Sequence, residues 1–207
     1  MNLTELLERV GQEVGEDISG GTSHWSDTEV TDWLNEGIKY FARSLPDNFL
    51  RDLQENSQIN IVNGTSAYSE PSGYIRFNRV RIKYSTSGDY VTAEFVDWPR
   101  YQFLDDNDYL SPSKTYPYWS HWDEQIHINP TPDADVTNGL DISGILIPSD
   151  MSTGTDVPQL PDEFHDVLVL YACFRMYQED ENLERASYYK QQIDEELIKH
   201  GIKMEKK

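Results

Sequence analysis

The apolar residues of this chain keep a helical repeat at both ends and a two-residue repeat in the middle. Spacing of three and four places side chains on one side of a helix, whereas strict alternation places them on one face of a strand. The chain therefore reads as helices, then strands, then helices. Towards the C-terminus, Leu160-Pro161-Asp162-Glu163 opens a helix. Proline sits where a first turn tolerates a missing N–H, and acids favour the positive helix end. Phe164, Val167, Leu168, Tyr171 and Ala172 form the stripe, with Arg175 and Gln178 as its polar end. Asn182 caps a second helix through Leu183, Ala186, Tyr189, Ile193 and Leu197, which His200-Gly201 stops. These two helices make a hairpin, followed by the short basic segment Ile202 to Lys207.

At the other end Leu3, Leu6, Leu7, Val10 and Val14 share a helical face that Asn2 can cap. Gly15 to Trp25 reads as a loop, and Ser26-Asp27-Thr28-Glu29 is a capping box. The helix it starts buries Val30, Trp33, Leu34, Ile38, Phe41 and Ala42 and closes at Leu45-Pro46. In the middle, strands are expected at Gln58 to Val62 and Thr65 to Tyr68, joined as a hairpin through Asn63-Gly64. Tyr74 to Tyr84 is a strand with Val80, Ile82 and Tyr84 on one face and Arg79, Arg81 and Lys83 on the other. Tyr90 to Val96 returns, Trp98 to Leu104 forms a short helix over the sheet edge, and Tyr118 to Trp122 pairs with Gln125 to Ile128. Gly139 to Ile147 is the last strand, ended by Pro148.

This order predicts an α+β fold. A helical bundle of the N- and C-terminal helices carries an inserted, mainly antiparallel β-sheet subdomain. The expected boundaries are residues 1–56 for the N-terminal helices, 57–150 for the insertion, 151–200 for the C-terminal hairpin and 201–207 for a docking tail. No apolar run reaches the length of a membrane span, and Met1 to Glu5 does not read as a signal peptide. A formal charge of −20 repels phosphate backbones, which argues against sequence-specific reading of nucleic acid. The same charge predicts that isolated subunits repel one another.

Enzyme motifs are missing: no phosphate-cradling loop with its lysine, no dinucleotide fingerprint, no Cys-x-x-Cys pair and no nucleophile elbow. The expectation is no catalysis, no cofactor and no metal, with a hydrolase built from dispersed residues as the reading left over. His121, Asp123 and His127 invite a metal reading, but a turn at Asp123-Glu124 breaks the register between the histidines. Asp133, Asp135, Asn138 and Asp141 lack the closing glutamate of a calcium loop and read as a solvated acidic turn. Tyr116, Tyr118, Trp119 and Trp122 form an aromatic cluster. It reads as a sheet core or subunit interface, or alternatively as a carbohydrate-stacking platform on Trp119 and Trp122. Arg76, Arg79, Arg81 and Lys83 make a basic island in an acidic chain, which pairs with the chain's own acids or with an acidic neighbouring subunit.

Four stretches together resemble a known family. They are Trp33-Leu34-Asn35-Glu36-Gly37, the Tyr-Ile-Arg-Phe-x-Arg-Val run of Tyr74 to Val80, the Ile-x-Ile-Asn-Pro-x-Pro run of Ile126 to Pro132, and Leu160-Pro161-Asp162-Glu163-Phe164-His165-Asp166. In this order they resemble the head-to-tail adaptor, or connector, proteins of tailed bacteriophages. The resemblance implies a non-enzymatic virion protein of the neck, made in the host cytoplasm and assembled as a ring of about a dozen copies beneath the portal. Its partners would be the portal protein, neighbouring copies of itself, and a tail or nozzle protein below. DNA would pass through the lumen without sequence-specific binding, and no membrane is involved. The C-terminal segment of such proteins docks on the portal, which points here to Ile198, Lys199, Ile202, Lys203, Met204, Lys206 and Lys207. The subunit interface would draw on Arg76, Arg79, Arg81, Lys83, Tyr118, Trp119 and Trp122. The alternative is a carbohydrate-binding or tail-fibre accessory module.

Overall fold

The computed structural model describes residues 1–18, 20, 23–106 and 113–202, and divides into two compact units. The first comprises Met1–Leu53 and Ile147–Lys207, the second Gln54–Leu146.

The helical unit contains α1 (Leu3–Val14), α2 (Asp27–Ser44), α4 (His165–Glu179) and α5 (Leu183–Lys199). Both N-terminal helices begin with complete capping boxes, Asn2 with Glu5 and Ser26 with Glu29, so two otherwise orphaned N–H groups are satisfied at each start. Helix α4 is the hub. It packs on α1, α2 and α5, and buries Val167, Leu168, Tyr171, Ala172, Cys173 and Met176 among them. Three-sided contact explains why its apolar residues exceed the single stripe expected for a surface helix. Asn182 caps α5 by accepting from the Arg185 N–H at 3.2 Å, and Ala186, Tyr189, Ile193 and Leu197 form its buried face. Leu183, assigned to that stripe from the sequence, is exposed.

Within the helical unit, the stretch from Met151 to Asp156 is tied down by polar contacts rather than by regular structure. Met151 is buried, and its N–H and C=O are both taken by the Asn35 side chain, at 2.8 and 3.0 Å. Gly154 and Asp156 carbonyls accept from the Thr4 and Leu3 N–H groups at the start of α1. The Asp156 carboxylate in turn accepts from the backbone N–H groups of Ser152 and Thr153 and from the Thr153 hydroxyl. Those donors hold its pKa down at about 2.

The second unit is a seven-stranded sheet in the order β1-β7-β3-β4-β5-β6-β2, with the short helix α3 (Trp98–Asp105). The strands are β1 (Gln54–Ile61), β2 (Ala67–Ser69), β3 (Tyr74–Ile82), β4 (Val91–Phe95), β5 (Tyr118–Trp122), β6 (Gln125–Asn129) and β7 (Val136–Leu146). All pairs are antiparallel except β4 with β5. Strands β1 and β2 lie at opposite edges, yet Ile61 and Tyr68 share one core with Val80, Ile82, Trp119, Ile126, Leu140 and Ile142. The sheet therefore curls into a half-barrel around that core.

This overturns the expected architecture of a helical bundle with a small inserted sheet. Helices and strands are segregated as foreseen, but the fold is a mixed one in which a curled seven-stranded sheet has a core of its own. Alternation identifies strands without naming their neighbours, and the long strand β7 gathers β1 and β3 on its two sides from far away in sequence. The expected Asn63-Gly64 hairpin also does not form. Thr65 N–H donates to Val62 C=O at 3.1 Å, but of the two central residues only Gly64 has positive φ, at 74°. That sign pattern belongs to a type II turn, which splays its flanking strands instead of pairing them. The hairpin foreseen around Asp123-Glu124 does form, with both residues at positive φ, 53° and 57°. Neither is glycine, so this tight turn carries backbone strain.

Candidate interaction surfaces

The C-terminal end of α5 closes in a Schellman motif. Gly201, at φ 74°, donates to Ile198 C=O at 2.9 Å, and Ile202 N–H donates to Leu197 C=O at 3.0 Å. Such caps bring the residue after the glycine back onto the helix, and Ile202 is accordingly only 6% exposed. Ile202, placed by the sequence in the tail, is thus packed against its own helix. Ile198 remains 58% exposed, and Lys199 pairs with Glu196 at 2.5 Å. Lys203, Met204, Lys206 and Lys207 lie outside the described residues.

The basic island lies on the side of β3 facing away from the sheet core, next to polar residues of β7 and β1. Arg81 reaches Asp141 through Nε at 2.7 Å and through its terminal nitrogen at 2.5 Å. Asp141 is buried, so the pair belongs to the chain itself. Arg79 donates to Ser143 Oγ at 3.1 Å, and Ser143 donates to Asn56 Oδ1 at 2.5 Å. Arg81 and Lys83 flank the Tyr90 ring, and Arg76 also has an interaction within the chain. Of the two origins for the basic island, pairing with the chain's own acids is what Arg81 does.

Strand β5 divides its aromatics between two faces. Trp119 is 3% exposed in the sheet core, whereas Trp122 is 54% exposed on the opposite face and stacks on Trp98 at 5.8 Å with ring planes 5° apart. The two tryptophans therefore cannot form one carbohydrate platform, and Trp119 is not offered to a neighbour. Tyr118 is half-buried against α3. Trp98 lies far from this cluster in the pattern of the sequence; its place beside β5 follows from α3 packing on the strand, which no local pattern announces. His121 pairs across the hairpin with Ile126, and His127 with Ser120, so the two histidines also take opposite faces. His121 Nε2 lies 2.5 Å from Glu70. His127 sits 4.5 Å from the Trp98 ring, and burial pushes its pKa below the usual imidazole value. Asp133 of the acidic turn pairs with Lys114 at 2.7 Å, and Asp135 accepts from the Asn63 N–H. No group of three potential metal ligands occurs among the described residues. A cleft of about 270 Å³ is lined, among the described residues, by Thr92, Ala93, Glu94, Tyr116, Pro117 and Tyr118, with Glu94 as the one carboxylate.

The stretches behind the resemblance have structural roles. In Trp33 to Gly37, Leu34 is core, Asn35 clamps Met151, Glu36 accepts from Arg175 at 3.1 Å, and Gly37 lets Tyr171 approach. Ile126 and Ile128 are core, and Asn129 donates to Asp105 at 2.8 Å. In Leu160 to Asp166, His165 is buried with Nε2 3.1 Å from Leu160 C=O, and Phe164 is fully enclosed. The sequence matches the profile of the SU10 adaptor protein family over residues 1–203. The chain belongs to that family. The SU10 adaptors are structural phage proteins, which makes this chain a virion component and agrees with the resemblance drawn from its four stretches. No curated protein matches the sequence. Among the described residues no helix is long and apolar enough to cross a membrane.

Proposed function

We propose that the chain is a head-to-tail adaptor that assembles as a ring of about twelve copies beneath the portal and joins it to the tail or nozzle protein below. The observation that carries this reading is the family match across residues 1–203. The adaptor role is mechanical, without catalysis or cofactor. DNA would pass through the lumen, where a chain of charge −20 offers few phosphate contacts and little friction.

Within this reading, the portal is met by the end of α5, where Ile198 presents an apolar side chain beside Lys199, together with residues 203–207. Neighbouring copies would use the exposed polar side of β3 around Arg79 and Lys83, with Tyr118 and Trp122 on the face of β5 that carries α3. Imaging of purified portal mixed with the chain tests the proposal directly. A closed ring of copies on the portal is the expected result; one or two bound copies, or none, would overturn it.

A further inference from the structure

The turn between β5 and β6 is acidic and strained, and we infer that in the ring it docks on the basic island of β3 in the next copy. This inference rests on the ring reading above and names the partner of that island. Asp123 and Glu124 are both exposed and both at positive φ, 53° and 57°. A two-residue turn of this kind favours Asn-Gly, because glycine adopts positive φ without steric cost. Two acids held there against the backbone's preference point to a use for their charge. The turn is also fixed in place. Glu70 N–H donates to Glu124 C=O at 3.1 Å, and the Glu70 side chain reaches His121 at 2.5 Å. Beside the turn, Trp122 is 54% exposed and steadied by its stacking on Trp98.

The occupant follows from charge and symmetry. Asp133 and Asp141 of the same sheet unit pair with Lys114 and Arg81, whereas Asp123 and Glu124 stand at an exposed tip. Two carboxylates next to an exposed indole fit a cationic surface, and arginine stacks well on tryptophan. This chain carries such a surface. Arg79 is exposed and donates to a neutral group, the Ser143 hydroxyl, and Lys83 lies beside the Tyr90 ring. The island is on β3 and the turn joins β5 to β6, so each copy offers the two patches at different places on its sheet. A contact between unlike patches runs head to tail, the kind that closes rings, whereas a two-fold pair sets like against like. The total of −20 does not forbid it. At physiological salt, charges further apart than about 8 Å are largely screened, so the charges at the contact decide.

Titration of the chain onto purified portal, with rings counted by imaging, tests the contact. Asp123→Lys/Glu124→Lys and Arg79→Glu/Lys83→Glu should each raise the concentration needed to close the ring at least about tenfold. The chain carrying all four changes should close it again, because both patches are then reversed together. Asp123→Asn/Glu124→Gly relieves the turn and removes its charge. It should raise the melting temperature of the free chain while weakening the ring, a combination that a purely structural turn would not give. If the wild-type chain gathers no ring on the portal, the ring reading and this contact fall together. The contact alone is overturned if the wild type closes a ring and any one of three results follows: either reversal closes it as readily, the four changes together fail to restore it, or the Asn-Gly variant assembles like the wild type or melts no higher.

Discussion

Replacing Asn35 by Leu should weaken the helical unit more than any surface change could. The side chain is buried, and its amide takes both backbone groups of Met151, itself 3% exposed. Leucine has similar volume, so the substitution leaves little cavity. It strands one N–H and one C=O away from water, and an unsatisfied buried group costs about 1–3 kcal/mol. The two together predict a loss of about 2–6 kcal/mol, a large part of the about 5–15 kcal/mol typical of a domain. Urea unfolding followed by far-UV circular dichroism reads the loss, and hydrogen exchange at the Met151 amide reads its location. Asn35→Asp separates the two bonds. The carboxylate can still accept from Met151 N–H but repels its C=O, and burial raises the pKa of an unpaired carboxyl. Its deficit should therefore shrink as pH falls and the protonated acid becomes a donor again. A loss below about 1 kcal/mol for Asn35→Leu, with Met151 still protected from exchange, would refute the argument.

Gly37→Ala should also destabilise, because the added Cβ would stand 2.9 Å from Tyr171 Cδ1. Overpacking of about 1–3 kcal/mol outweighs the helix-propensity gain of about 1 kcal/mol, and thermal unfolding measures the balance. Burial lowers the pKa of both His127 and His165, so the unfolded chain takes up those protons first. Their contribution is complete above about pH 6.5 and declines as pH falls from there towards the folded-state values; the melting temperature should drop over that window, less steeply in His127→Phe. Deleting residues 201–207 should lower the melting temperature, because it removes the buried Ile202 and its bond to Leu197.

Helices were legible in this sequence because their signals are local. Asn2, Ser26 and Asn182 announce starts within three residues, and Gly201 announces a stop within one turn. The sheet was legible strand by strand but not as a whole, because its order depends on pairings such as Gln54 with Ile145 that no window contains. Asn63-Gly64 misled for a related reason: the dipeptide fits two turn types, and the strands on either side pair with β7 and β6 instead of with each other. Among surface residues, the sequence could group Trp119 with Trp122 but could not tell that adjacent strands would enclose one and expose the other. Ile202 was misjudged because a residue after a helix-stopping glycine looks like tail, while the cap geometry folds it back.

Because β1 and β7 pair antiparallel from Gln54 with Ile145 onwards, the chain leaves and rejoins the helical unit across one strand spacing, about 5 Å. From the helices' side, all of Gln54–Leu146 is a single excursion with a mouth as narrow as that of an ordinary hairpin. Such a module can be lengthened, trimmed or swapped between phages by recombination at two neighbouring points, without rethreading the four helices or parting their core. The sheet unit can therefore diversify while the helical frame stays constant.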